Sequence, residues 1–352
     1  MTPDAARSPV AARDPFLRAC RREATDYTPV WLMRQAGRYL PEYRAIRKRL
    51  SLLELCKTPE AAAEVTVLAV EKLGVDAAII FADILLLAEP LGVGLEFVRG
   101  DGPTVHRPVR TQDSVRRLRE VDPAEDVPFV FEAVRLARRA LAGRVPLIGF
   151  AGAPFTLASY LVEGRPSRDF LATKHLMHTD PEMWHALMDR LARLTARYLN
   201  GQIAAGVDAV QLFDSWVGCL SPEAYRRHVL PYTRRVIADL APGVPVIHFG
   251  TGTAGLLELL REAGGEVIGL DWRVDLGEAW RRLGDGVAVQ GNLDPALLLT
   301  TPNEIRQGVR AVLAAAGGRP GHIFNLGHGV LPNTPWENAV AMVEAVHELS
   351  RR

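Results

Sequence analysis

Short apolar runs separated by longer amphipathic stretches dominate the chain. Eight stand out: Val30–Met33, Ala77–Phe81, Pro146–Phe150, Ala209–Phe213, Pro245–Phe249, Val267–Leu270, Val287–Gln290 and His322–Asn325. Most are continuously apolar rather than alternating, the pattern of parallel strands covered on both faces. Between them the pattern turns helical. Pro59–Leu73 follows Thr58 and ends before Gly74; Pro181–Gly201 follows Thr179-Asp180; Pro222–Asp239 follows Ser221. Ala254–Ala263 precedes Gly264-Gly265, a helix opened by Thr301-Pro302 is closed by Gly317-Gly318, and Pro335–Ser350 ends the chain. A capping residue followed by Pro starts a helix, and Gly just beyond its end stops it.

Eight strand runs alternating with helices predict an α/β protein with a single-domain (β/α)8 TIM barrel over residues 15–352. The structural rival is an open doubly wound sheet; no G-x-G-x-x-G follows any run, which weighs against its dinucleotide-binding form. Gly92-Val93-Gly94, followed by Glu96-Phe97-Val98-Arg99, predicts a hairpin excursion. Thr104–Val127 and Val162–Thr179 are long connections, the second a candidate mobile lid.

Composition narrows the function classes. The chain has 352 residues, 48% hydrophobic and 24% charged, ordinary for a soluble globular protein. No apolar run reaches the ~18 residues of a membrane span. The start, Met1-Thr2-Pro3-Asp4, lacks the apolar stretch of a secretory signal, so a cytoplasmic protein is expected. Residues 1–14, rich in Ala, Pro and Arg, are expected to form a flexible tail. A net charge of +1 provides no whole-molecule field for nucleic acid or an anionic membrane. A polyanionic ligand would have to be met by local arginines. Cys20, Cys56 and Cys219 are scattered and form no CxxC, which argues against a disulfide framework or a thiolate metal site.

Functional groups of a barrel gather at the C-terminal ends of its strands. The first run is followed by Arg34-Gln35-Ala36-Gly37-Arg38, with Arg47 further on. Two guanidiniums flanking small residues suit a carboxylate or phosphate clamp, or a solvated basic turn. The second run is followed by Asp83, a lone carboxylate among large apolar residues. It is either functional, because burying it costs desolvation, or a helix cap. Tyr160 after the third run is a hydroxyl donor or a core tyrosine. Ser215 after the fourth is a donor, and no G-x-S-x-G surrounds it as a nucleophile would require. His328 after the eighth lies between Gly327 and Gly329, either as a functional imidazole or within a tight turn.

Taken together, these segments resemble the uroporphyrinogen decarboxylase family. Met33–Tyr39 reads M-R-Q-A-G-R-Y and Asn325–Gly329 reads N-L-G-H-G. Phe81–Leu85, Gly152–Gly164, Gln211–Gly218, Gly269–Trp272 and Gln290–Pro295 match in order and spacing, from about residue 16 to the C-terminus. The resemblance implies a homodimeric barrel enzyme without metal or organic cofactor. Its substrate, uroporphyrinogen III, carries four acetates and four propionates; the products are coproporphyrinogen III and four CO2. The resemblance further implies that Arg34, Gln35, Ala36, Gly37, Arg38, Arg47, Asp83, Tyr160, Ser215 and His328 bind substrate. In the implied mechanism Asp83 holds the pyrrole N–H groups and stabilises a cationic intermediate, while Arg34 and Arg38 pair with carboxylates. Arg34, His328 or an ordered water moves the proton. One departure is Ala82, where many relatives have Ser before the Asp.

Two rivals remain to be weighed. Corrinoid-dependent methyltransferases of the same superfamily need a late His-x-Cys pair and a further Cys. Here His248 is followed by Phe249-Gly250, and Cys219 is the one late cysteine. A non-catalytic porphyrin-binding protein would need the barrel mouth but not Asp83.

Overall fold

The computed structural model describes residues 14–98 and 102–352. The strands, in chain order, are β1 (Ala78–Ile79), β2 (Leu95–Val98), β3 (Gly102–Val105), β4 (Leu147–Gly152), β5 (Ala209–Asp214), β6 (Val246–Gly250), β7 (Val267–Gly269), β8 (Ala288–Gln290) and β9 (His322–Ile323). Seven form one sheet in the order β1-β4-β5-β6-β7-β8-β9. Every neighbouring pair in it is parallel. The sheet curls as a half-barrel with helices outside. Its strands are buried on both faces, as their unbroken apolar runs require. β2 and β3 pair antiparallel, with Leu95 opposite Val105; this is the expected hairpin.

The first predicted strand, Val30–Met33, is corrected. It is a single parallel bridge, Val30 to Phe324. The Trp31 N–H reaches the Phe324 carbonyl at 3.3 Å, and side chains take the places of the other ladder acceptors. The Val30 N–H donates to Asp76 Oδ2 at 2.7 Å, Leu32 to Gln35 Oε1 at 3.1 Å and Met33 to Asn325 Oδ1 at 3.2 Å. These three backbone donors are satisfied without a second strand.

Helix starts follow the cap-plus-proline signals. Asp180, Ser221 and Thr301 each accept a first-turn N–H, and Pro181, Pro222 and Pro302 follow them. The helix expected over Ala254–Ala263 begins at Leu257, and two others differ from expectation more widely. The helix predicted to end at Gly201 runs Pro181–Ala205 and stops at Gly206, whose φ is +113°. Gly201 serves packing instead: a Cβ there would lie 2.5 Å from Phe131 Cζ, on Pro128–Leu141, a helix absent from the sequence expectations. Pro222–Asp239 is two helices, Pro222–His228 and Leu230–Ala238. The break falls at Val229, and Pro231 has no N–H to donate to the Arg227 carbonyl, as one continuous helix would require.

Of the expected tail, residues 1–13 lie outside the described residues. Asp14 is ordered: its Oδ1 accepts the Leu17 N–H at 3.0 Å and caps the helix Pro15–Cys20. The two long connections carry structure of their own, including helices Gln112–Arg116 and Leu171–Thr179.

Candidate active site

A cavity of about 380 Å³ opens at the C-terminal ends of the strands. Its wall is aromatic. Phe81, Phe150, Phe213 and Phe249 all line it. Phe150, Phe213 and Phe249 meet edge to face, with centroids 5.5 and 5.9 Å apart. Each of the four is the last residue of an apolar run in the sequence, a repeated signal that the expectations above do not use. Phe97 and Pro103 of the β2–β3 hairpin close one side.

Asp83 lies in this wall, after β1. Its Oδ1 accepts the Leu85 N–H at 2.9 Å. Burial pushes its carboxyl above the ordinary carboxylate range; the Leu85 N–H and the Arg34 guanidinium pull it partly back. A carboxylate kept in apolar surroundings and only partly neutralised is a strong local field for a developing cation.

Arg34 reaches the same cavity from the loop after Met33, with its backbone in the left-handed region at φ +61°. That loop is tied on two sides. Gln35 Nε2 donates to Ala77 O at 3.1 Å, fixing the loop to the start of β1. The Val330 N–H donates to Met33 O at 2.9 Å, fixing it to the His328 loop. The glycines around His328 allow close approach. A Cβ on Gly329 would lie 2.5 Å from Arg34 Cδ, and one on Gly327 would collide with the Trp272 backbone. Neither has a positive φ, so approach, not a left-handed turn, explains them.

His328 is pushed below the usual imidazole range, first by burial, then by the guanidiniums of Arg34 and Arg273. It is therefore uncharged at neutral pH. Tyr160, on the helix Pro154–Glu163, has its hydroxyl pushed up to about 12 by burial and by Asp83; it stays a donor. Its ring meets Trp216 edge to face at 5.9 Å. Ser215 follows β5, and its carbonyl accepts the Thr251 hydroxyl. Beside it Asp214 accepts from Thr156 at 3.2 Å, joining β5 to the Tyr160 helix.

Eight of the ten residues expected to bind substrate line the cavity: Arg34, Ala36, Gly37, Arg38, Asp83, Tyr160, Ser215 and His328. Gln35 and Arg47 do not. The Gln35 side chain is fully buried, spent on Leu32 N and Ala77 O. Arg47 donates to Leu50 O. No group of three or more His, Cys, Asp or Glu among the described residues is placed to hold a metal ion. Among the described residues no helix is long and apolar enough to cross a membrane.

Residues 11–349 match the family described as Uroporphyrinogen decarboxylase (URO-D). The uroporphyrinogen decarboxylase of Carboxydothermus hydrogenoformans is 58% identical over 338 residues, covering 96% of this chain and 97% of the relative. That of Sorangium cellulosum is 58% identical over 339 residues, with the same coverage of 96% and 97%. Among solved structures, a methyltransferase from Methanosarcina mazei superposes with a TM-score of 0.77 at 20% identity, covering 95% of this chain and 98% of its own. At that identity the likeness is one of fold.

Proposed function

The chain belongs to the uroporphyrinogen decarboxylase family, and from that premise we propose that the Asp83 cavity removes the acetate carboxylates of uroporphyrinogen III to give coproporphyrinogen III and CO2. The observation that carries this is Asp83: one carboxylate set in a phenylalanine-walled cavity, with Arg34 and Arg38 beside it. Membership makes the chain a carboxy-lyase of porphyrin biosynthesis.

An acetate on a pyrrole cannot simply expel CO2, because the carbanion left behind is unstabilised. Protonation of the ring first makes an electron sink. The carbon–carboxylate bond then breaks toward the ring, CO2 departs, and the exocyclic methylene is protonated as the ring gives up its proton. The net change per acetate is uptake of one proton and loss of one CO2. The intermediate is cationic, and Asp83 is the group that stabilises it while accepting the pyrrole N–H donors. One preorganised contact of this kind is worth ~3 kcal/mol. Arg34 and Arg38 pair with substrate carboxylates. Tyr160 and Ser215 add hydroxyl donors, and Ala36 and Gly37 permit close backbone approach. His328, uncharged at neutral pH, acts as a proton acceptor or hydrogen-bond donor. Gln35 serves beneath the loop by holding Arg34 in place, and Arg47 holds the end of its own helix. The chemistry proceeds with protein groups alone.

We further propose that Val30–Met33 acts as the eighth stave of a closed barrel. It lies between Phe324, just beyond β9, whose carbonyl accepts the Trp31 N–H, and Asp76, just before β1, whose N–H donates to the Val30 carbonyl. Residues 15–352 then form one domain. The proposed setting is a cytoplasmic homodimer.

The test is anaerobic incubation with uroporphyrinogen III. Release of coproporphyrinogen is expected, and its absence with folded protein would sink the reading. The methyltransferase rival has no support in the ligand set: no metal-holding cluster occurs among the described residues, and 20% identity conveys fold only.

A further inference from the structure

The substrate proposed above carries eight carboxylates, yet the permanent cations that line the cavity are Arg34 and Arg38. His328 is uncharged at neutral pH. The outer carboxylates of a bound macrocycle must therefore meet either water or cations on the rim.

One rim cation is held in advance. Arg273 follows β7, and its side chain is 52% exposed. Its guanidinium carbon stands 3.8 Å over the centre of the Trp272 ring. Its backbone N–H donates to Asp271 Oδ1 at 2.9 Å and its Nη1 to Asp271 Oδ2 at 3.0 Å. Asp271 is itself 1% exposed and accepts the Gly252 N–H as well. Asn292 Nδ2 fixes the same loop from below, donating to Asp271 O at 2.7 Å and Val274 O at 2.8 Å. The loop is braced on every side, so the guanidinium loses little freedom on binding a ligand.

The loop also touches the site. Trp272 meets the His328 ring edge to face, centroids 6.0 Å apart at 89°. Gly327 packs directly on the Asp271–Trp272 backbone. The Asp271 pair engages Nη1; Nε and Nη2 have no protein acceptor among the described residues. An exposed, stacked, tethered guanidinium with free donors beside a carboxylate-binding cavity is suited to bidentate capture of a carboxylate.

We infer that Arg273 is a further substrate-binding residue, a preset guanidinium beyond His328 that takes one peripheral carboxylate of the tetrapyrrole. The inference rests on the proposed uroporphyrinogen reading. It predicts an effect on binding rather than on bond breaking, because Arg273 stands outside the cavity wall where the reacting acetate lies.

The experiment compares wild type, R273Q and R273K under anaerobic steady-state conditions with uroporphyrinogen III, at low ionic strength and in ~1 M salt, where screening acts over ~3 Å. R273Q is expected to raise KM about fivefold at low salt, with kcat within about twofold. The difference should shrink in high salt and R273K should recover part of it; the thermal midpoint should fall in R273Q, which removes a partner of buried Asp271, and that fall should not depend on substrate. A wild-type KM for R273Q at low salt overturns the assignment. So does a loss confined to kcat and unaffected by salt, since that pattern belongs to a disturbed loop. Inactive wild-type enzyme overturns the decarboxylase reading itself, whereas active wild type with an indifferent R273Q overturns only the role of Arg273.

Discussion

The side chain of Arg34 lies across Gly329, so closely that a Cβ on the glycine would sit 2.5 Å from Arg34 Cδ and 2.7 Å from Cγ. The two residues belong to the first and last loops of the sheet, and the Val330–Met33 hydrogen bond joins those loops. The glycine is thus part of the arginine's placement. Gly329→Ala should fold, because its backbone is not in the left-handed region. It should displace the guanidinium by about an ångström and lower kcat/KM by roughly 100-fold. A crystal structure of the variant together with its kinetics checks this; wild-type kcat/KM would refute it.

Asp83→Asn separates stability from activity. Burial raises the folded-state pKa of Asp83. A carboxyl with a raised folded-state pKa loses stability as pH rises through that value, so at pH 7 its charge is a cost. Asn keeps an oxygen for the Leu85 N–H and removes the charge. The thermal midpoint at pH 7 should therefore rise, while turnover falls by ~100-fold or more. A lowered midpoint or near-normal turnover would count against this account.

The pH profile follows from the same group. If ionised Asp83 is required, kcat/KM falls as pH falls through a pKa above the ordinary carboxylate range. Burial and two guanidiniums keep His328 uncharged near neutrality, so it adds no limb between pH 7 and 8. An acid limb at the ordinary Asp value of ~4 would show that another group controls the rate.

Arg38→Ala tests the clamp. Arg38 lines the cavity and is solvent-exposed, so solvent screens part of its contribution. Loss of one charge-assisted contact should raise KM about tenfold, roughly 1.4 kcal/mol, with the fold intact. Unchanged KM and kcat would reject its carboxylate contact.

Gln35→Ala distinguishes support from contact. The substitution orphans the Leu32 N–H and Ala77 carbonyl that the amide now satisfies. It should cost roughly 2 kcal/mol of stability and weaken activity through Arg34. A variant with a wild-type melting point but a raised KM would instead assign Gln35 to the substrate.

Much of this protein is legible in local signals along the chain. The continuous apolar runs around residues 147, 209, 246, 267, 288 and 322 are strands because parallel strands covered on both faces need unbroken apolar sequence. Cap-plus-proline pairs at Asp180, Ser221 and Thr301 start helices where they stand. Arg34, Arg38, Asp83 and His328 each stand out as charged or titratable residues at the end of such a run. Other features depend on contacts between distant segments. Val30–Met33 has strand-like sequence, yet Gln35, Asp76 and Asn325 side chains take the hydrogen bonds of a ladder. Gly201 reads as a helix stop until Phe131 is placed against it. The depth of Asp83, the neutrality of His328, the outward role of Arg273 and the inward one of Gln35 all depend on what surrounds each side chain. Residue order names the groups; desolvation and close approach, which exist only once loops far apart in the chain meet, assign their work.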